Sequence, residues 1–364
     1  MIFWTNISQN KVKLMKKIAA LLVLTMLNSC IKKKEEQKPD IYASIKFEKP
    51  LSFPNTHYDI SSNPPTPAGF KLGKALFYDG LLSRDGTISC GTCHQQPFAF
   101  THHEHDVSHG IDDKLGIRNA PSLQNLAWQK EFNWDGGVNH LDFFSVQPIE
   151  SPVEMDEKLS NILQKLRNHS TYPRIFKEAF GTEEITTERF LKALSQFMLM
   201  MVSADSRYDR YLAGRESFSD QEIRGLQLFE QKCSSCHQGV LFTDLSYRDN
   251  GLLPSSRNDT GREKITLSPT DRYKFKVPSL RNVEFSRPYM HDGRFTSLMQ
   301  VLNHYQTGVR NNPNVDNLLR KADNSLGIDL TEQEKQDIIA FLRTLTDQNF
   351  LKDERFSEFN NTIK

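Results

Sequence analysis

The sequence predicts an all-α protein built of two similar halves joined by long loops. Three observations carry that expectation: apolar residues recur at helical spacing behind recognisable N-caps, alternating strand-type runs are scarce, and one set of short motifs occurs twice in the same order. The composition allows it. A chain of 364 residues, 37% hydrophobic and 25% charged, has apolar mass enough for a packed core in about two ordinary domains. The same figures exclude a polytopic membrane protein, a coiled coil and a wholly disordered chain. With 46 basic against 45 acidic residues the formal charge is +1, which argues against a nucleic-acid partner.

At the N-terminus, Lys16 and Lys17 precede an apolar run from Ile18 to Leu27, broken only by Thr25. The run is too short to span a bilayer and suits the apolar region of a secretory signal. It ends in Leu27-Asn28-Ser29-Cys30, which resembles a bacterial lipobox, in which the cysteine is lipidated and becomes the mature N-terminus. Residues 1–29 are thus expected to be a signal peptide, with Met15 an internal start and an uncleaved buried helix the alternative. Cys30 is expected to anchor the chain to a membrane, in the periplasm or cell envelope. Removing residues 1–29 takes away four lysines and no acids, leaving a net charge of −3. Residues 30–60 are charged and contain proline, and read as a poorly ordered tether. The halves follow as 61–210 and 211–350, with 351–364 as a tail.

Phe190, Leu191, Leu194, Phe197, Met198 and Met201 recur at helical spacing. Ser219-x-x-Glu222 is a capping box before Ile223, Leu226 and Phe229, and Thr331-x-x-Glu334 opens a helix with Ile338, Ile339, Leu342 and Leu345 on one face. The stretches 96–118 and 238–276 read as long polar loops, which are usually functional or mobile.

Of five cysteines, four form two pairs of identical spacing: Cys90-Gly91-Thr92-Cys93-His94 and Cys233-Ser234-Ser235-Cys236-His237. C-x-x-C-H is the attachment signature of c-type haem. Two thiols on one short turn add across the two vinyl groups of a haem, and the adjacent histidine presents its imidazole to the iron. Disulfides do not call for a trailing histidine. Zinc ribbons space their pairs about 15–20 residues apart, and a thioredoxin-like site wants a βαβ context that is missing.

The motifs sit in a longer repeat. Gly73-Lys74-Ala75-Leu76-Phe77 leads into the first and Gly225-Leu226-Gln227-Leu228-Phe229 into the second. Ala120-Pro121-Ser122-Leu123 then Trp134-Asp135-Gly136 follows the first; Val277-Pro278-Ser279-Leu280 then His291-Asp292-Gly293 follows the second. Pro121 to Asp135 and Pro278 to Asp292 are each fourteen residues. This is a duplicated cytochrome unit with one haem per copy.

Residues 65–350 resemble the bacterial di-haem cytochrome c peroxidases and their relative MauG, the methylamine-utilisation di-haem oxygenase. The carriers are both C-x-x-C-H motifs, Arg118-Asn119-Ala120-Pro121-Ser122-Leu123, Trp134-Asp135-Gly136, the run from Pro148 through Glu150 to Glu154-Met155, and Val277-Pro278-Ser279-Leu280-Arg281-Asn282 with Tyr289-Met290-His291-Asp292-Gly293-Arg294. The resemblance implies two cytochrome c-like domains, a peroxide site at the N-terminal haem, and a C-terminal haem fed by a small donor protein, a cytochrome c or cupredoxin. It also implies a possible homodimer.

The resemblance assigns roles as well. Glu154 matches the catalytic glutamate, and a carboxyl there is able to move a proton from the near to the far peroxide oxygen. The companion glutamine falls on Phe144. Trp134 matches the tryptophan between the haems, a relay for electrons. Tyr305 stands where typical members carry a methionine ligand and MauG-like members a tyrosine; anionic oxygen stabilises higher oxidation states of iron. Met290 and Met299 are reserve ligands. No histidine falls at the position that caps the peroxide haem in classical members: Ile111 stands there, with His109 nearby. His102, His103, His105 and His109 read as a solvated polar loop, with a transition-metal site as the alternative. A calcium ion between the haems, held by Asn119, Ser286 and Pro288, is carried over too. The leading function is reduction of hydrogen peroxide to water; a MauG-like oxidase or a plain di-haem electron carrier are the alternatives.

Overall fold

Helix α1 (Pro67–Phe77) begins the helical body, with proline at its start and the Thr66 side chain accepting from the Gly69 amide at 3.0 Å. In this computed structural model, Met15 and residues 40–360 are described. The apolar run Ile18–Leu27 and Cys30 lie outside the described residues. None of the described helices is long and apolar enough to cross a membrane.

After α1 come α2 (Cys90–Cys93), α3 (Val146–Glu150), α4 (Leu159–Arg167), α5 (Tyr172–Phe180), α6 (Thr187–Leu199) and α7 (Arg207–Leu212). Then α8 (Asp220–Lys232), β1 (Tyr247–Arg248), α9 (Glu263–Thr266), β2 (Phe275–Lys276), α10 (Leu298–Asn303), α11 (Glu332–Arg343) and α12 (Gln348–Lys352) complete the order. β1 and β2 pair antiparallel, Tyr247 opposite Lys276, and tie the two ends of the 238–276 loop. The all-α expectation holds. Both capping boxes form, Ser219 with Glu222 and Thr331 with Glu334. Met201 falls past the end of α6, whose C-cap is Met200, yet stays fully buried.

The repeat is a repeat of packing. α1 crosses α6, and α8 crosses α11. A β-carbon on Gly73 would lie 1.9 Å from the Ala193 carbonyl oxygen, and one on Gly225 1.9 Å from that of Asp337. Four residues on in each helix, Phe77 meets Phe197 and Phe229 meets Phe341, both with ring centroids 5.1 Å apart. The loop motifs match as well. Ser122 donates to Ala99 O and Ser279 to Leu241 O, each at 2.6 Å. Asn125 and Asn282 both adopt positive φ, 58° and 56°. The bridges Phe132↔Val138 and Tyr289↔Phe295 close equivalent turns around Trp134-Asp135-Gly136 and His291-Asp292-Gly293.

The described residues from Tyr42 onward cluster as one compact unit. The halves are tied by Asn119 N donating to His291 O at 2.7 Å, by Gln124 bonded to Arg281 and Asn282, and by Asn125, Ser203, Asn282 and Asp347 in one buried network. Arg281, fully buried, makes a two-pronged pair with Asp209 at 2.8 and 2.7 Å.

Two segments correct the sequence reading. The presumed tether is packed from Tyr42 to Tyr58. Lys74 Nζ donates to Tyr42 Oη at 3.0 Å, Trp128 Nε1 to Pro54 O at 2.9 Å, and Phe53 stands edge-on to Trp128. Tyr42, Ile45, Phe53 and Tyr58 are buried, which charge counting along the segment does not reveal. The presumed tail is packed too: Leu351 and Phe356 are buried, and Tyr78 Oη donates to Phe356 O at 2.7 Å. Phe350 and Phe356 join Phe70, Phe100 and Phe197 in the aromatic core of the first half.

Candidate functional site

Among the described residues, two cavities hold the motif residues. One is lined by Cys90, Cys93 and His94, the other by Cys233, Cys236 and His237. The first motif lies on α2, whose capping box joins Ser89 to Thr92; the second follows the C-cap of α8 at Cys233. Each histidine is fixed the same way. His94 Nδ1 donates to Phe100 O at 2.7 Å, and His237 Nδ1 lies 3.2 Å from both Phe242 O and Pro278 O. Carbonyl oxygens only accept, so the proton sits on Nδ1 and the Nε2 lone pair is free to bind a metal. Burial pushes His94 down to about 4 and lowers His237, so both imidazoles are neutral near pH 7. No disulfide joins the four thiols. Two thiols and one oriented imidazole lining each cavity fit a covalent haem in each.

Glu154 lines the N-terminal cavity. Burial raises its carboxyl above the usual range, against hydrogen bonds to Ser108 and Ser151. Its backbone is pinned by Glu154 N donating to Ser151 O at 3.1 Å and Ile111 N donating to Glu154 O at 2.8 Å. The neighbouring Met155 side chain is buried as the anchor of the Glu-Met pair. Phe144 lines both cavities in place of the expected glutamine. Gln147, one helical turn later at the start of α3, lines the N-terminal cavity and is bonded by the Asn133 amide. Ser108 and Gln147 stand outside the contiguous motifs; the three-residue step from Phe144 to Gln147 is the one sequence signal for the latter.

Trp134 lines both cavities. Its indole Nε1 donates to Asn119 O at 2.8 Å, and its own carbonyl accepts from Lys276 N at 2.7 Å, so ring and backbone are both held. Lys276 Nζ, buried beside Gln129 Oε1 and Glu131 O at 2.7 Å each, is pushed down to about 7 by that burial.

Tyr305 lines the C-terminal cavity from a π-helical turn, His304–Gly308, that follows α10. Burial pushes its hydroxyl up to about 12, against a hydrogen bond from Asn250. Met290 shares this cavity; Met299 does not line it. Asn119, Ser286 and Pro288 also line it. The Asn119 amide nitrogen donates to His105 O and Asp106 O at 3.2 Å each, which leaves its oxygen for a cation. Among the described residues no cluster of three or more His, Cys, Asp or Glu is disposed to hold a metal.

Of the four loop histidines, His102 and His103 are withdrawn from solvent, while His105 and His109 stay partly exposed. His102 is buried and stacks on His105 at 4.1 Å, and His103 stacks on Phe98 at 3.7 Å. Stacking takes the His102 and His103 rings out of water, an effect that residue polarity does not reveal. None of the four lines either cavity.

A family model described as di-haem cytochrome c peroxidase matches residues 67–217. The chain is 36% identical to methylamine utilization protein MauG of Methylorubrum extorquens over 82% of this chain and 83% of that one. It belongs to the di-haem cytochrome c peroxidase and MauG family. Cytochrome c551 peroxidase of Nitrosomonas europaea is 32% identical, over 76% of this chain and 79% of that one. The crystal structure of a MauG-like protein associated with microbial copper homeostasis superposes with a TM-score of 0.76 at 33% identity, over 86% of this chain and 99% of that one. Membership carries with it two c-type haems, an oxidoreductase class and the two-cytochrome fold. The di-haem family holds proteins named for peroxide reduction and proteins named for methylamine utilisation, so membership fixes the cofactors and not the substrate.

Proposed function

We propose that the protein reduces hydrogen peroxide to water at the N-terminal site, with electrons delivered through the C-terminal site from a small donor such as a cytochrome c or cupredoxin. One observation carries the reading: a half-buried carboxyl, Glu154, lines the same cavity as His94, and among the described residues no second histidine does. The haem, when bound, supplies the iron that takes up peroxide and electrons. Glu154, held by Ser108 and Ser151, moves the proton from the near peroxide oxygen to the far one, which leaves as water. Trp134, shared by both cavities and fixed by Asn119, relays electrons between them. His237 and Tyr305 would hold the second iron. The oxygens of Asn119, Ser286 and Pro288 bind a calcium ion that braces the strip between the sites. Lipidation at Cys30 tethers the mature chain to a membrane of the cell envelope.

A second reading is favoured by Tyr305 itself. A phenolate stabilises oxidised iron, which suits a MauG-like enzyme that withdraws electrons from a protein or small-molecule substrate. Steady-state peroxide turnover with reduced cytochrome c separates the readings. The peroxidase consumes both; the oxidase responds to peroxide but consumes cytochrome c poorly; a plain carrier gives no peroxide response. Glu154→Gln is expected to lower turnover by about 10²–10⁴-fold. Unchanged turnover would remove Glu154 from the mechanism.

A further inference from the structure

We propose that Tyr247, with Glu131 as its proton acceptor, is a third redox station of the protein, which draws oxidising equivalents out of the relay at Trp134. The inference rests on the reading of Trp134 as that relay. Tyr247 lies on β1 opposite Lys276 of β2, and the Lys276 amide donates to Trp134 O at 2.7 Å. The phenol also abuts the turn that carries the indole. A β-carbon on Gly136, two residues after Trp134, would collide with the Tyr247 hydroxyl and with Arg262. Two short routes thus join indole and phenol. One crosses the β pair through the Trp134 carbonyl and the Lys276 amide; the other follows the chain to Gly136 and takes a single contact.

Loss of an electron makes a phenol a strong acid, so the step needs a base within hydrogen-bond reach. Glu131 is that base: Tyr247 Oη donates to Glu131 Oε2 at 2.7 Å. The Glu131 side chain is 35% exposed, which lets the proton pass on to water. Arg262 binds the parts together. Its guanidinium lies 3.7 Å from the Tyr247 ring centroid and 3.4 Å from Glu131 Oε2, and it donates to Asp135 O at 3.0 Å. A cation over the ring opposes positive charge left there, so the electron leaves only together with the proton. Tyr58 and Tyr172 also donate to carboxylates, those of Asp142 and Asp79. Of these three pairs, Tyr247 with Glu131 is the one built against the Trp134 turn.

The oxidant is hydrogen peroxide acting through the bound haems, and one of the electrons it takes comes from the Trp134 indole. An electron then passes from the Tyr247 phenol to the indole, which is restored. The phenol O–H bond breaks and its proton goes to Glu131 Oε2. The products are a neutral tyrosyl radical and a neutral carboxylic acid. One electron from an outside donor, with the proton returned by Glu131, regenerates both groups.

The test mixes the matured di-haem protein with hydrogen peroxide, without a donor, and freezes it for electron paramagnetic resonance. Samples are made with ordinary and with ring-deuterated tyrosine, and optical spectra follow the haems. Wild type is expected to give an organic radical whose signal narrows on tyrosine deuteration. Tyr247→Phe, which keeps a ring under Arg262, is expected to lose that signal while the haems still respond to peroxide. Glu131→Gln keeps the shape but cannot hold the proton, and is expected to slow radical formation by roughly 10²–10⁴-fold. The deuteration measurement needs no variant and stands should either fail to fold. Responding haems with no tyrosyl signal in wild type, or an undiminished signal in Tyr247→Phe, would overturn the role of Tyr247 alone. A wild-type rate in Glu131→Gln would overturn Glu131 as the acceptor. Undiminished signal in Trp134→Phe would overturn the route through the relay. Haem spectra that peroxide leaves unchanged would overturn the proposed reaction and this proposal together.

Discussion

Gly110 lies so close to Glu154 that a β-carbon on it would sit 2.4 Å from the Glu154 Cα and 2.4 Å from its carbonyl oxygen. Both contacts are to backbone, which gives way far less readily than a side-chain tip. Gly110→Ala is therefore expected to displace the loop that carries the carboxyl. Peroxide turnover should fall together with a loss of roughly 1–3 kcal/mol in stability. Full turnover in a variant with an unchanged melting temperature would show that the contact does not position Glu154.

The matched glycines of the helix crossings give a paired prediction. Gly73→Ala and Gly225→Ala each drive a methyl group into a backbone carbonyl, and each should destabilise by about 1–3 kcal/mol or more. Chemical denaturation of the two variants should give similar losses. A large loss from one and none from the other would mean that the two crossings differ in solution.

Asp209 and Arg281 provide a pH test. Burial pushes the Asp209 carboxyl up, and the Arg281 guanidinium more than offsets this, leaving it below the usual range. A depressed carboxylate contributes stability above its unfolded value of about 3.9, and that contribution is lost as the pH falls toward the folded value. Asp209→Asn should cost about 3–5 kcal/mol near neutral pH, because Arg281 is left buried without its partner. It should also flatten the acid limb of the stability curve below about pH 4. Denaturation midpoints of both proteins from pH 3 to 7 check both parts, and parallel curves would sink the assignment.

Trp134→Phe keeps an aromatic ring and removes the donor to Asn119 O. Reduction of the C-terminal site by an external donor should proceed as in the wild type, while transfer onward to the N-terminal site slows. Stopped-flow spectra that follow the two haems separately read each step. Equal rates of onward transfer in variant and wild type would exclude the indole from the path.

Much of the site was legible because it is written in contiguous motifs. Cys90, Cys93 and His94 sit on one short turn, and the equal fourteen-residue steps reported a repeat that returns in the fold down to the Phe77–Phe197 and Phe229–Phe341 contacts. What escaped was set by contacts between residues remote in sequence. Ser108 reaches Glu154 only because the 96–118 loop folds over it, and Asn250 meets Met290 across forty residues. The stretch from Tyr42 to Tyr58 reads as polar, yet its few aromatic residues find Trp128 and Phe70 and bind the whole segment down. The loop histidines misled for the related reason that stacking of their rings leaves no periodic trace.

The segment from Phe350 to Phe356 packs behind the loop that holds His94. Gln96 Nε2 donates to Asp353 O at 2.8 Å, Lys74 Nζ to Arg355 O at 2.9 Å, and Phe350 and Phe356 lie against Phe100, whose carbonyl orients His94. Biosynthesis runs the other way, so the earlier-made C-x-x-C-H emerges without the wall behind its histidine. The support behind His94 is thus completed only after the segment from Phe350 to Phe356 has been made, and a chain cut before Phe350 is expected to be flawed first in the half made earliest.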